Sequence, residues 1–198
     1  MTADAVREAV GVETIGIGLG GVELARTWFE SICSLYAEVF SVPPFAWDEQ
    51  EPVRHRQMLE RLLTEPSFGI TVAVRDDELV GFAYGYGVHP DTKRWENFLE
   101  PLPEALTTEW EGRTFALIDL AVRADLRGHG LGRRLLEVLL ASRSEERAAL
   151  TVEPEAEATQ AFYQHLSWQR MGRKRTSPGS AISYFDAYVL PLRAQTRP

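Results

Sequence analysis

Two glycine-rich stretches have the composition to hold phosphate. In the first, ETIGIGLGGVEL, Gly16, Gly18 and Gly21 stand in the order G-x-G-x-x-G ahead of a helical pattern. That order can seat a dinucleotide pyrophosphate on a helix N-terminus. In the second, RGHGLG at 127–132, Gly128, Gly130 and Gly132 let successive backbone N–H groups face one concavity, and Arg127 and Arg133 add positive charge. A helix starting inside those glycines favours an anion at the same place. Upstream, Asp119 is a lone carboxylate in the apolar run TFALIDLAV, a costly position for a charge without a partner. It could accept a proton directly or through a water; its structural alternative is to cap a bulge or pair with an arginine.

The surrounding elements decide between the two glycine clusters. A dinucleotide site needs a strand before the glycines and an acidic residue ending the next strand roughly 20 residues on. Only ETI precedes the first cluster, and at the required distance Glu38 lies within a helical pattern. The first cluster therefore reads as a flexible strand-to-helix connection, at the end of an N-terminal segment, 1–21, that is either flexible or an edge strand. The second has its context: the strand run at 114–122 is apolar on both faces, which places it centrally in a sheet. After the glycines, LGRRLLEVLLASR carries a helical stripe of Leu131, Leu135, Val138 and Leu139. It is not a Walker loop, because no Gly-Lys-Ser/Thr follows.

Elsewhere, Leu24, Trp28, Ile32, Leu35 and Val39 predict a helix over 22–40, ended by Pro43 and Pro44. A second helix is expected through EPVRHRQMLERLLTE, then a hairpin over 68–88 with an acidic turn at Asp76–Glu78. The segment from His89 to Arg113 is long for a hairpin connection. AALTVEP reads as a strand, with Pro154 in the first turn of a helix whose inner face carries Ala158, Ala161, Phe162, His165 and Leu166. Two closing strands fall near WQRMGRKR and YFDAYVLPL.

The stretch Leu120 to Gly132, LAVRADLRGHGLG, resembles the acetyl-CoA signature of the GNAT superfamily of N-acetyltransferases, an arginine, two residues, glycine, one residue and glycine, mapping onto Arg127, Gly130 and Gly132. The resemblance extends over most of the chain from about residue 22. It implies a single α/β domain over 1–198, with a mixed central sheet splayed between the fourth and fifth strands and flanked by helices. It also implies acetyl-CoA as acetyl donor, with the pantetheine arm between those strands. The cofactor contacts then fall on Leu120, Ala121 and Val122 and on Arg127, Gly128, His129, Gly130, Leu131, Gly132 and Arg133. Two positions depart from the family pattern: Ala156 stands where an asparagine is frequent, and Ser167 where a glycine closes the helix.

Acetyl transfer to an amine requires a neutral amine, donors for the thioester oxygen and an acid for the departing thiolate. Asp119 is the candidate base, a position where similar sequences carry an acid. Tyr163, in AFYQHL, matches the family's tyrosine beside the thioester sulfur; as an alternative it is a packed aromatic. His129 touches the diphosphate at most, His165 reads as a core histidine, and His55 and His89 lie in polar surroundings. The acceptor pocket implied by the resemblance points to Phe45, Trp47, Tyr84, Tyr86 and Trp95. Glu96, Glu100, Glu104, Glu109 and Glu111 make the 89–113 segment an acidic rim that would attract a cationic amine, or else a solvated face or dimer contact.

A net charge of −8 disfavours nucleic acid as a partner, and the basic run RMGRKR at 170–175 reads as a solvated edge. No apolar run approaches about 20 residues, so no membrane span is expected, and without a secretion-signal layout the default is the cytoplasm. Cys33 is the only cysteine; it reads as a core thiol, and no ligand spacing suggests a metal. The leading expectation is an N-acetyltransferase acting on a small primary amine in a ternary complex, with a homodimer as the assembly common among similar proteins. The alternatives are a protein N-terminal or lysine acetyltransferase and a non-catalytic acyl-CoA-binding module.

Overall fold

In the computed structural model, which describes residues 15–45, 48–176 and 182–192, the first glycine run is itself a strand, β1 (Gly16–Gly20). It pairs antiparallel with β2 (Gly69–Arg75) from Gly16↔Val74 to Gly20↔Ile70. Its glycines serve close packing: a Cβ on Gly20 would lie 2.8 Å from the Cβ of Leu24. Of the two alternatives for this segment, the edge strand is the one found over Gly16–Gly20, in place of a flexible connection, and no phosphate loop forms.

The helix expected over 22–40 is two, α1 (Val22–Thr27) and α2 (Phe29–Phe40), bent at Trp28. α1 packs on β1 and β2, whereas α2 packs on β3 (Glu78–Gly87) and β4 (Thr114–Val122), so the bend follows the twist of the sheet. α3 (Glu51–Leu62) packs on α2. Ile32, Leu35, Val39 and Leu59 from α2 and α3 meet Ile70, Val72, Phe82 and Tyr84 in one core. On the opposite face, α5 (Leu131–Ala141) sets Leu131, Leu135, Leu136 and Leu139 against Val80, Ala83, Phe115 and Leu117.

Seven strands form one sheet in the order β1-β2-β3-β4-β5-β7-β6, with β5 (Arg147–Val152), β6 (Gln169–Arg175) and β7 (Tyr184–Pro191). Only β4 and β5 are parallel. α6 (Glu157–His165) begins three residues beyond Pro154, which rotates its inner face. Ala156 and Tyr163 are buried, while Ala158, Ala161 and His165 are exposed, so His165 is not a core histidine. Ser167 takes the left-handed conformation at φ 66° that closes this helix, as glycine would. The basic run is an edge strand, but not a purely solvated one: Arg170 and Arg173 bond the buried Asp186 at 2.7 and 2.8 Å. No described helix is long and apolar enough to cross a membrane.

The 89–113 segment contains only one short helix, α4 (Glu104–Thr107), and reaches the edge strand through a bridge from Phe98 to Lys174. Its Glu109 is not part of an acidic rim. One carboxylate oxygen receives Arg147 Nη2 at 2.7 Å, Trp95 Nε1 at 2.7 Å and Thr114 Oγ1 at 2.8 Å, and the side chain is 1% exposed. Removing one partner of a buried ion pair strands the other charge, so Glu109→Ala is expected to cost about 3–5 kcal/mol of unfolding free energy in denaturant titration. Glu100→Gln, on the exposed surface of the same segment, is expected to leave it within about 0.5 kcal/mol. Equal effects would contradict this assignment.

Candidate active site

The β4–β5 ladder has three residue pairs, Thr114↔Arg147, Phe115↔Ala148 and Ala116↔Ala149, and then stops. Beyond it β4 keeps its pairing with β3, and β5 its pairing with β7, so their facing edges separate. A bulge accompanies the separation: Gly85 pairs with Leu117 and Tyr84 with Asp119, leaving Ile118 as the extra residue on β4. Bulges bend the strand that carries them. The result is a V whose β4 wall, from Leu117 to Val122, offers unpaired backbone groups.

At the wide end, β4 runs through a single 3-10 turn (Ala124–Leu126) into the second glycine cluster. Gly128 and Gly130 both have φ 79°, in the left-handed region that glycine adopts without strain, and a Cβ on either would meet open space. Gly130 caps α5. The N–H groups from Gly128 to Arg133 donate to no acceptor among the described residues, since the first helical bond is Arg134 N–H to Gly130 O. Arg127 folds its Nε back onto Val122 O at 3.0 Å, beside this nest, and Arg133 pairs with Glu137. Fixed N–H groups and the α5 dipole suit an anion at this point.

Inside the V, Asp119 projects to the α2–α3 side with its side chain 14% exposed. Tyr84, wholly buried, donates its hydroxyl to Asp119 Oδ2. His55 Nε2 lies 3.0 Å from the same hydroxyl and 3.5 Å from Oδ2. Because the Tyr84 proton goes to the carboxylate, His55 bonds the tyrosine oxygen by donating from Nε2. A chain of donors therefore runs from His55 through Tyr84 to Asp119. Burial, reinforced by the Asp119 charge, pushes the Tyr84 phenol far above its ordinary value, so it stays a donor. From the α5 side, Tyr163 flanks the opening with its ring packed edge-on against Trp168. Burial, then the charge of Asp119, raises its phenol well above the ordinary range. Its hydroxyl has no hydrogen-bond partner among the described residues.

The profile of the Acetyltransferase (GNAT) family matches residues 29–168. The chain belongs to the GNAT family of acetyltransferases. A search of the curated proteins found no significant match. Among solved structures, an acetyltransferase from Thermus thermophilus superposes with TM-score 0.58 at 20% identity, covering 88% of this chain and 96% of that one. Aminoglycoside 6'-acetyltransferase type Ii gives 0.63 at 18%, with 92% and 99% covered. The ribosomal-protein-S18-alanine N-acetyltransferase from Escherichia coli gives 0.62 at 15%, also with 92% and 99% covered. At these identities the likeness carries the fold alone. The GNAT family uses acetyl-CoA as donor, and the residues here fit it: an open strand edge for an amide-bearing arm, and free N–H groups for a diphosphate.

The structure brings together Asp119, Leu120, Val122, Tyr163 and the glycine nest; Ala121 faces the α2–α3 core instead. His129 is exposed in the nest. Phe45 packs on Phe40 and on the cluster that includes Tyr163. Tyr84 is not a pocket wall, reaching the site only through its hydroxyl. Tyr86 is half-buried beside Ala116, and Trp95 stacks over Arg147 at the closed end of the V, five residues along β4 from Asp119. Trp47 lies outside the described residues. Sequence reasoning missed His55, expected in polar surroundings but only 2% exposed and stacked on Tyr36. The spacing of His55, Leu59 and Leu62, one helical face, was the signal for it. Among the described residues no cluster of three metal-ligating side chains occurs.

The two glycine clusters make opposite predictions. Gly130→Val, which forces a branched side chain into a left-handed cap, is expected to raise the acetyl-CoA Kd about tenfold or more by calorimetric titration. Gly16→Ala is expected to leave it unchanged, and the reverse pattern would contradict the site.

Proposed function

We propose that this acyltransferase moves the acetyl group of acetyl-CoA onto the primary amine of a small molecule, by direct attack in a ternary complex. The observation that carries this reading is Asp119, a carboxylate held by Tyr84 and His55 yet open to the V. When bound, acetyl-CoA supplies an activated acyl carbon and a thiolate leaving group. The amine attacks in its neutral form, and Asp119 accepts, directly or through a water, the proton that the attacking nitrogen loses as it becomes an amide. Tyr84 and His55 fix the orientation of that carboxylate. Tyr163 keeps its proton at neutral pH and has a free hydroxyl to deliver it to the sulfur as the carbon–sulfur bond breaks and the carbon–nitrogen bond forms. Leu120 and Val122 pair with the donor's amide-bearing arm, and residues 127–133 receive its diphosphate.

The 89–113 segment supports a small acceptor, because its link from Phe98 to β6 lays it across the sheet and narrows the route that a protein substrate would need. Phe45 and Tyr86 border the remaining space. We treat residues 1–198 as one domain working in the cytoplasm.

Free thiol release from acetyl-CoA with pooled primary amines tests the reading against pooled peptides with free N-termini and lysines. Release with the amines is expected; release with the peptides alone would assign a protein acceptor. Asp119→Asn and Tyr163→Phe are each expected to lower kcat about 100-fold while leaving acetyl-CoA affinity within about threefold. The pH dependence follows from Tyr163. A free alkylamine has a pKa near ~10, so kcat/KM rises with pH as the amine deprotonates. The raised phenol remains protonated over that range, so no descending limb is expected up to about pH 10. A descending limb near pH 9 that disappears in Tyr163→Phe would contradict the acid role.

A further inference from the structure

Arg94 lies in the segment between β3 and β4, and its guanidinium reaches the apex of the V. Nη2 is 3.5 Å from the carbonyl of Ala149, the last β5 residue paired with β4. That long contact is the only hydrogen bond its side chain makes, and no carboxylate within ion-pair distance answers its charge among the described residues. The nearby carboxylate, Glu109, is committed to Arg147, Trp95 and Thr114. A second cation adds to the imbalance: Lys174 Nζ donates to the Arg94 backbone carbonyl and likewise has no carboxylate partner among the described residues. Burial, then the charge of Arg94, pushes the Lys174 ammonium down from its ordinary value. Guanidinium cannot shed its proton to escape the imbalance.

Arg94 is half-buried, and burial pulls its guanidinium below the ordinary arginine value. In the same segment, Nε and Nη1 of Arg113 are buried without partners. Tyr86, paired with Ala116, borders the same point. Along β4, Ala116 and Asp119 are three residues apart with the Ile118 bulge between them, about 7–10 Å. A guanidinium with donors to spare and no carboxylate partner among the described residues therefore sits at the closed end of the V, one short molecule's length from the proposed base.

We propose that the acceptor is an amino compound carrying an anionic oxygen group, a carboxylate or phosphate, which Arg94 receives at the closed end of the V while the amine lies at Asp119. Planar paired donors suit such a group. Lys174 holds the backbone of Arg94 and lends its charge. This rests on the small-amine reading above, and it turns a general amine site into one for zwitterions.

The test follows thiol release from acetyl-CoA with three pools: α- and ω-amino carboxylates, aminoalkyl phosphates, and amines of matched length without an anion. Wild-type protein is expected to prefer one of the anionic pools, and which one identifies the group. Arg94→Gln is expected to raise KM for that pool about 100-fold with kcat within about threefold, and to leave the anion-free pool unchanged. Arg94→Lys is expected to restore part of the loss. Unchanged acetyl-CoA affinity in the variants shows that they are folded. Release from the anion-free pool alone, or equal selectivity in Arg94→Gln, would overturn the inference and leave the small-amine reading standing. A rise confined to the acetyl-CoA KM would place Arg94 on the donor and also overturn it. Silence from every pool with acetyl-CoA bound would remove both.

Discussion

The end of the parallel ladder after Ala116 and Ala149 is the constraint on which the rest of the site depends. Its cause is local. The β3 backbone presses so closely on β4 that a Cβ on Gly85 would lie 2.0 Å from Ala116 O, and Ile118 is pushed out of register one step later. β4 bends away at that point, while β5 stays with β7. A sheet that lost its pairing without compensation would expose a row of unsatisfied amides and carbonyls, which is costly if buried and sticky if not. Here the opening faces the glycine nest, Asp119 and Tyr163, so the unsatisfied backbone groups and the proposed reacting groups share one cleft.

Charge is distributed so that each element around this opening has a separate task. Glu109 and Arg147 close the narrow end with a buried ion pair, anchoring the 89–113 segment to the first residue of β5. Asp186 fixes the outer hairpin through Arg170 and Arg173. Asp119 differs from both, since no arginine neutralises it. It is held by a tyrosine hydroxyl and backed by a histidine, an arrangement that orients the carboxylate without cancelling its negative charge. The base role proposed for Asp119 requires that charge to stay available, and no arginine or lysine lies within ion-pair distance of it among the described residues.

How much of this was legible in the sequence depends on the range of each interaction. The loop at 127–132 could be read because its cause is local: glycines needing left-handed φ between an apolar strand and an amphipathic helix. The first glycine run left flexible segment and edge strand undecided because Ile17 and Leu19 alternate with glycines, a strand pattern overlaid by a motif of another fold. In α6, alanines on both sides of the helix left its phase open, and the later start rotated Tyr163 inward and His165 outward. His55 carried a weak periodic signal obscured by the arginines around it. Arg94 carried none. Between Lys93 and Trp95 it looks like solvated charge, and only the path of the chain back across the sheet places it over Ala149.

Amide hydrogen exchange with and without acetyl-CoA tests the central claim most directly, because it reads the backbone groups themselves. The account predicts new protection at Leu120–Val122 and at 128–133, with the closed ladder at 114–116 unchanged. Protection at Gly16–Gly20 instead, or none at either place under saturating acetyl-CoA, would contradict it.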